Sequence, residues 1–165
     1  VMTVSPTPET PKLRSGAKIG GARSASRLGA VQALYQLELS DEGTQSVIRE
    51  FIDHRLGKEV EGALYAEPDM DLFTDLVEGA TRSQEDLDQM ITGALTPDSP
   101  LNRLETVLRA ILRAGAYELR FRVDVPTRVI INEYLDIAHA FFSGPEPGLV
   151  NGVLDRLAKE CRGGA

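Results

Sequence analysis

Along the chain, apolar residues return every three to four positions, and no stretch sustains the alternation of a half-buried strand, so the pattern predicts an all-α fold with no sheet. Between Ser24 and Leu39, the positions Leu28, Val31, Leu34, Tyr35 and Leu37 mark a first helix, ended by Ser40-Asp41-Glu42-Gly43. Val47, Ile48, Phe51, Ile52 and Leu56 form the stripe of a second helix stopped by Gly57, and Lys58 to Pro68 is expected to be a loop with no assigned role. From Met70 to Ile91, the set Leu72, Phe73, Leu76, Val77, Ala80, Leu87, Met90 and Ile91 predicts a third helix, bent near Thr81 to Ser83. Leu104, Val107, Leu108, Ile111, Leu112 and Gly115 lie on a long helix expected over Leu101 to Phe121. Val125-Pro126 marks the next start, since proline suits a first helical turn, and Val129, Ile130, Tyr134, Ile137, Ala138 and Phe141 follow. After an expected loop from Ser143 to Gly148, the residues Val150, Val153, Leu154 and Leu157 supply the last of about six to seven helices.

Two breaks divide this pattern. Residues 1–21 hold Pro6, Pro8, Pro11, Gly16, Gly20 and Gly21 among Thr, Ser and Lys, too little apolar surface to fold alone, and are expected to be a disordered tail. Pro97 and Pro100 break the chain again, predicting an N-terminal helical subdomain over 22–96 packed against a C-terminal one over 101–161. Aromatic residues make up only 5% of the chain and Trp is absent, so Leu, Ile, Val and Ala must fill the core. The single cysteine, Cys161, cannot form an internal disulfide, which points to a reducing compartment. With no signal-peptide pattern and no apolar run near the roughly 18–20 residues that span a bilayer, the expectation is a soluble, cytoplasmic protein.

Charge changes the picture more than composition does. The net charge is −7, yet residues 1–40 carry five cations (Lys12, Arg14, Lys18, Arg23, Arg27) against Glu9 and Glu38, a local balance of +3 on an otherwise acidic chain. Such a split either solvates a tail or presents a basic arm to a polyanion. Catalytic patterns are missing. His54 and His139 stand apart with no cysteine or carboxylate at ligand spacing, no glycine-rich phosphate loop or nucleophile elbow occurs, and Asp69, Asp71, Asp86 and Asp88 are expected to solvate exposed faces. Neither an enzyme nor a metal or cofactor site is expected.

What remains is the start of the first helix. Arg23 and Arg27, four apart, are expected to emerge on one face about 6 Å apart, close to the phosphate spacing of a single strand. Lys18 and Arg14 on the lead-in could fold onto that strand. Tyr35 offers a ring on which a base could stack, or else fills a half-buried core position.

The run from Ala22 to Gln36, ARSASRLGAVQALYQ, resembles the opening of the NusB family of bacterial transcription antitermination factors, where an arginine-rich stretch leads into an AVQALY helix. Ala110 to Leu119 (AILRAGAYEL), Val125-Pro126, Ile131-Asn132-Glu133 and Val150 to Asp155 (VNGVLD) are similar to later family blocks in order and spacing, so the likeness covers about residues 22–158. The resemblance implies an all-α fold of two helical subdomains. It implies binding of boxA-type single-stranded RNA in ribosomal RNA transcripts, together with NusE, a ribosomal small-subunit protein, within the RNA polymerase antitermination complex. On this basis Arg23 and Arg27 match arginines of the arginine-rich motif, Tyr35 matches the family tyrosine beside the RNA, and Asn151 lies in a block bordering that surface, where it could equally cap the last helix.

The departures are specific. Ser24, Ala25 and Ser26 stand where the family has further arginines, and fewer phosphate contacts imply weaker RNA binding alone and more reliance on NusE. The helix from Leu104 to Leu119 matches a NusE-contacting region but carries Leu108 where a charge is expected. Two alternatives stay open: the NusB-like domain of a ribosomal RNA cytosine methyltransferase, although the chain ends at residue 165 with no methyl-donor domain, and a homodimer that hides the basic helix.

Overall fold

The structure, a computed structural model, describes residues 11–15, 20–56 and 67–163, and among these it has seven α-helices and no strand. Helix α1 (Ala22–Leu39) starts from Gly21, whose φ of 71° lies in the left-handed region that only glycine enters without strain. Helix α2 (Thr44–Glu50) widens into a π-helical turn at Phe51–Arg55, and Leu56 leaves it in extended conformation. Most of the loop expected from Lys58 to Pro68 lies outside the described residues.

The helix expected over 70–91 is two helices. α3 (Met70–Arg82) begins with Asp69, whose side chain accepts a hydrogen bond from the Leu72 amide at 3.0 Å, so this aspartate is an N-cap rather than a solvating charge. At Ser83 the backbone leaves the helical region (φ −100°, ψ 14°), and α4 (Gln84–Ala94) sets off anew. The next helix starts later than its apolar pattern suggests, because the chain first makes a 3₁₀ turn at Leu101–Arg103 and then extends through Leu104 and Glu105. Arg109 holds that extension in place by donating to the Leu104 carbonyl and, at 3.1 Å, to Thr106 Oγ1. Helix α5 then covers Thr106–Phe121, and α6 (Thr127–Phe141) opens directly after Pro126. α7 (Glu146–Cys161) begins before the expected Val150, since Pro147 falls in its first turn, where a missing N–H costs nothing.

α5 is the centre of the molecule. It packs against α1, α3, α4, α6 and α7, and its residues from Ala110 to Leu119 are all buried, so these five helices surround it. Gly115 permits a close approach of α7 and α6: a Cβ there would meet both Leu154 methyls at 3.0 Å and the Tyr134 ring at 3.4 Å. Leu108 is 3% exposed, so it belongs to the core, and the charge expected there would have been buried. One apolar cluster draws residues from both sides of the Pro97–Pro100 segment.

Charged side chains also reach this core. Arg27 of α1 is 1% exposed and donates through Nε and Nη2 to both carboxylate oxygens of Glu118 on α5, at 2.7 and 2.9 Å. The Tyr134 hydroxyl of α6 donates to the same carboxylate at 2.5 Å, and Glu133 lies 3.9 Å from Arg27 Nη1. A fork-to-carboxylate pair satisfies the buried charges by geometry as well as by attraction. A second pair, Arg113 to Asp88 at 2.8 and 3.0 Å, ties α5 to α4, so Asp88 too has a partner instead of only solvating a face.

Removing one member of a buried pair strands the other. Glu118→Ala is expected to lower unfolding free energy by about 3–5 kcal/mol. Arg27→Met/Glu118→Leu should recover most of that loss in denaturant titration; a double variant as unstable as the single one would show that the pair is not what the core requires.

Candidate nucleic-acid interface

The structure separates the sequence-derived cations. Arg23, in the first turn of α1, is exposed. Arg27 is not: positions four apart are offset by about 40° around a helix, and here the offset turns the second guanidinium inward onto Glu118. The expectation that the two emerge together toward RNA is therefore corrected, since a charge that has left water for a bidentate partner is not free for a phosphate. The serines between them are also engaged. Ser24 Oγ donates to Glu133 Oε2 at 2.7 Å, and Ser26, fully buried, donates to the Asp69 carbonyl at 2.7 Å. An arginine at Ser26 would have no room, so that departure from the family cluster follows from packing.

Lys18 lies outside the described residues. Of the lead-in, residues 11–15 are described, and they lie across the C-terminal end of α6. The Arg14 amide donates to the Ala140 carbonyl at 2.6 Å, its guanidinium donates to the carbonyls of His139 at 3.0 Å and Phe142 at 3.4 Å, and Leu13 packs against the core. Carbonyls in a last helical turn lack intrahelical partners and carry the negative end of the helix dipole, which is what a guanidinium satisfies. Arg14 is thus placed as a cap.

Tyr35 is half-buried, with its ring partly against the core and partly on a cleft lined by Pro11, Lys12, Glu105, Thr106, Phe141 and Phe142. Twelve residues of helix put it about 18 Å along α1 from Arg23 and about 120° around it, so the two do not share a face. Asn151 is exposed on the second turn of α7; it does not cap that helix, which starts five residues earlier behind Pro145. Lys12, which sequence reasoning passed over, is the cation beside Tyr35. His54 and His139 are both exposed, and among the described residues no three His, Cys, Asp or Glu side chains group as a metal site would need. Nor is any described helix long and apolar enough to cross a membrane.

The electrostatics follow the same division. Burial alone would lower the Arg27 pKa, but the hydrogen bond and charge of Glu118 outweigh it and hold it above its ordinary value. Burial, then the charge and hydrogen bond of Glu118, push Tyr134 well above the usual phenol range. Burial and the Asp75 carboxylate, which accepts from its hydroxyl at 2.7 Å, push Tyr117 up to about 12.

Residues 24–159 match the NusB family model. The chain is 51% identical over 158 residues to the transcription antitermination protein NusB of Brucella ovis, covering 96% of this chain and 89% of that one. It is 51% identical over 140 residues to NusB of Caulobacter vibrioides, covering 85% and 94%. Its fold is similar to that of T. maritima NusB, at 32% identity and a TM-score of 0.72, over 86% of this chain and 93% of that one. It is also similar to a chain in the crystal structure of antitermination factors NusB and NusE in complex with dsRNA, at 24% identity and a TM-score of 0.69, over 83% and 96%.

The phenols give a direct check. A raised folded-state pKa means that folding favours the protonated hydroxyl, so this contribution is complete below the ordinary value near 10 and is lost as pH rises through the folded values. Of the four tyrosines, at least Tyr117 and Tyr134 should stay un-ionised at about pH 11 for as long as the fold persists, with stability falling above about pH 10. Ultraviolet titration alongside circular dichroism reads this; complete tyrosine ionisation with the helices intact would contradict the buried hydroxyl network.

Proposed function

The chain belongs to the NusB family, and from that premise we propose that it is a non-enzymatic transcription antitermination factor that binds boxA-type RNA of ribosomal RNA transcripts together with NusE and helps RNA polymerase read through terminators. The observation that carries this is half-identity to NusB relatives over nearly the whole length of both chains, spanning the α1 block and the AILRAGAYEL and VNGVLD blocks alike. A solved NusB of the same fold is in complex with NusE and dsRNA, which supports NusE and an RNA as the kinds of partner. Acting beside RNA polymerase, it would work in the cytoplasm on this reading.

On this reading the RNA crosses α1 obliquely, from the face that carries Arg23 to the face that carries Tyr35 about 120° around the helix. Arg23 contacts phosphate at one end, Tyr35 offers its ring toward the other, and Lys18 and Asn151 remain candidates. Arg27 supports the surface from below. With Arg27 and Ser26 in the interior, α1 itself offers fewer phosphate contacts than an arginine cluster would, and each phosphate contact contributes about one unit to the salt dependence of binding. The protein alone is therefore a weak RNA binder, and NusE supplies the remaining affinity.

Titration of labelled boxA RNA at several salt concentrations, with and without NusE, tests this. Sequence-preferring binding that is stronger with NusE is expected, and Arg23→Gln should weaken it and reduce the salt slope by about 0.7–0.9. Absence of sequence preference in both conditions would overturn the proposal, and an unchanged slope for Arg23→Gln would move the phosphate contact off α1.

A further inference from the structure

We propose that Arg162, which follows the last turn of α7, is a positioning residue for the RNA-facing start of α1, and that it acts by clasping the end of α5 to the start of α6. The inference rests on the RNA-binding reading above and adds to it a residue that holds no RNA itself. Its guanidinium is fully engaged. Nε donates to the Leu119 carbonyl at 2.9 Å, Nη1 to the Val125 carbonyl at 2.6 Å and to Thr127 Oγ1 at 3.3 Å, and Nη2 to the carbonyls of Glu118 at 3.2 Å and Arg122 at 2.8 Å. An arginine side chain carries five N–H donors, so every one is used and none is left for a phosphate.

The chain brings Arg162 to this place by ending α7 there. Its own amide donates to the Ala158 carbonyl at 2.8 Å, and Gly163 follows with a φ of 73°, the left-handed conformation that closes many helices. The side chain then reaches the last turn of α5, where carbonyls run out of intrahelical donors and carry the negative end of the helix dipole. A guanidinium satisfies them by hydrogen bonding and by charge together.

Both clasped ends grip α1. Glu118, whose carbonyl Arg162 holds, extends its carboxylate to Arg27 at 2.7 and 2.9 Å. Thr127 opens α6, and on the same helix Glu133 accepts from the hydroxyl of Ser24, the neighbour of Arg23, at 2.7 Å. Helix α1 is therefore held at Ser24 and Arg27, about one turn apart, by two helices whose relative placement Arg162 fixes. Without the clasp, α5 and α6 keep their apolar contacts, which tolerate small rotations, but lose the directional bonds that set one end against the other. The first turn of α1 moves with them, and Arg23 with it.

The experiment uses the full chain with NusE and labelled boxA RNA, comparing wild type, Arg162→Gln, Arg162→Lys, Arg23→Gln and the Arg23→Gln/Arg162→Gln double variant. Ile91→Ala, which empties a buried position on α4, is the control for lost stability. Below its unfolding transition, Arg162→Gln should weaken RNA binding severalfold and make the Arg27 Nε–Hε proton exchange faster with water. Arg162→Lys, whose single ammonium reaches only some of the five acceptors, should fall between it and wild type; if Arg162→Gln does not fold, the same comparison is made with Arg162→Lys. In the double variant the Arg162 change should add little to the loss from Arg23→Gln, because it acts by placing Arg23. Fully additive losses, or wild-type affinity and Arg27 exchange in the Arg162 variants, overturn the inference and leave the RNA-binding reading standing. So does an Ile91→Ala variant that matches Arg162→Gln in both readouts, since general stability would then account for the effect. If wild type fails to bind RNA even with NusE, the RNA-binding reading falls and this inference with it.

Discussion

An arginine that has left water must find its counterion inside the protein, and in this fold that requirement joins three helices at one point. Arg27 from α1, Glu118 from α5 and Tyr134 from α6 share a single carboxylate, with Glu133 behind them. Such a group is stable only when every member is present, because the desolvation cost of each charge is offset by the other and by the remaining hydrogen bonds. Its consequence is geometric. Apolar packing between α1 and α5 would tolerate some rotation of either helix, whereas a bidentate fork does not, so the pair sets which residues of α1 face outward. The exposure of Arg23, and the position of Tyr35 a further three turns along, both follow from that setting.

The surface that results is spare. One arginine at the start of α1, one lysine on the arm and the rings around Tyr35 stand on a protein of net charge −7, where several of the other cations are held in ion pairs: Arg109 and Arg113 with Glu38 and Asp88, Arg122 with Asp75. An acidic body repels nucleic acid except where its cations are free, so a small number of free cations along α1 comes at the expense of affinity. Dependence on a protein partner is the natural complement to so few contacts.

Much of the architecture was legible from periodicity, because helices that bury one face announce it every three to four residues. The failures came where a different force decided. Leu87 returns seven residues after Ala80, in helical register across the polar stretch 81–86, so the break between α3 and α4 was visible only as a bend, and the start of α5 was read too early because Leu101 and Leu104 are apolar yet lie on a 3₁₀ turn and an extended link. Pro147 could have signalled the early start of α7, but two prolines and two glycines nearby read as a loop. At the site, helical spacing alone placed Arg27 beside Arg23. The opposing signal was present: Glu118 sits within the apolar run AILRAGAYEL, and a carboxylate on the buried side of a central helix demands a cation from elsewhere in the chain. No local pattern says which arginine answers it. Likewise, nothing in the proline-rich lead-in foretells that the last carbonyls of α6, more than 120 residues away, will capture Arg14.

The account stands on Arg27 being a core residue in the working protein, bound to RNA or not. Guanidinium NMR of arginine-labelled protein observes this directly through the Nε–Hε signals. The Arg27 signal should exchange slowly with water and keep its position when boxA RNA and NusE are added, while the Arg23 signal shifts. Rapid exchange of Arg27 in the free protein, or a shift on RNA binding accompanied by contacts to the nucleic acid, would contradict the account.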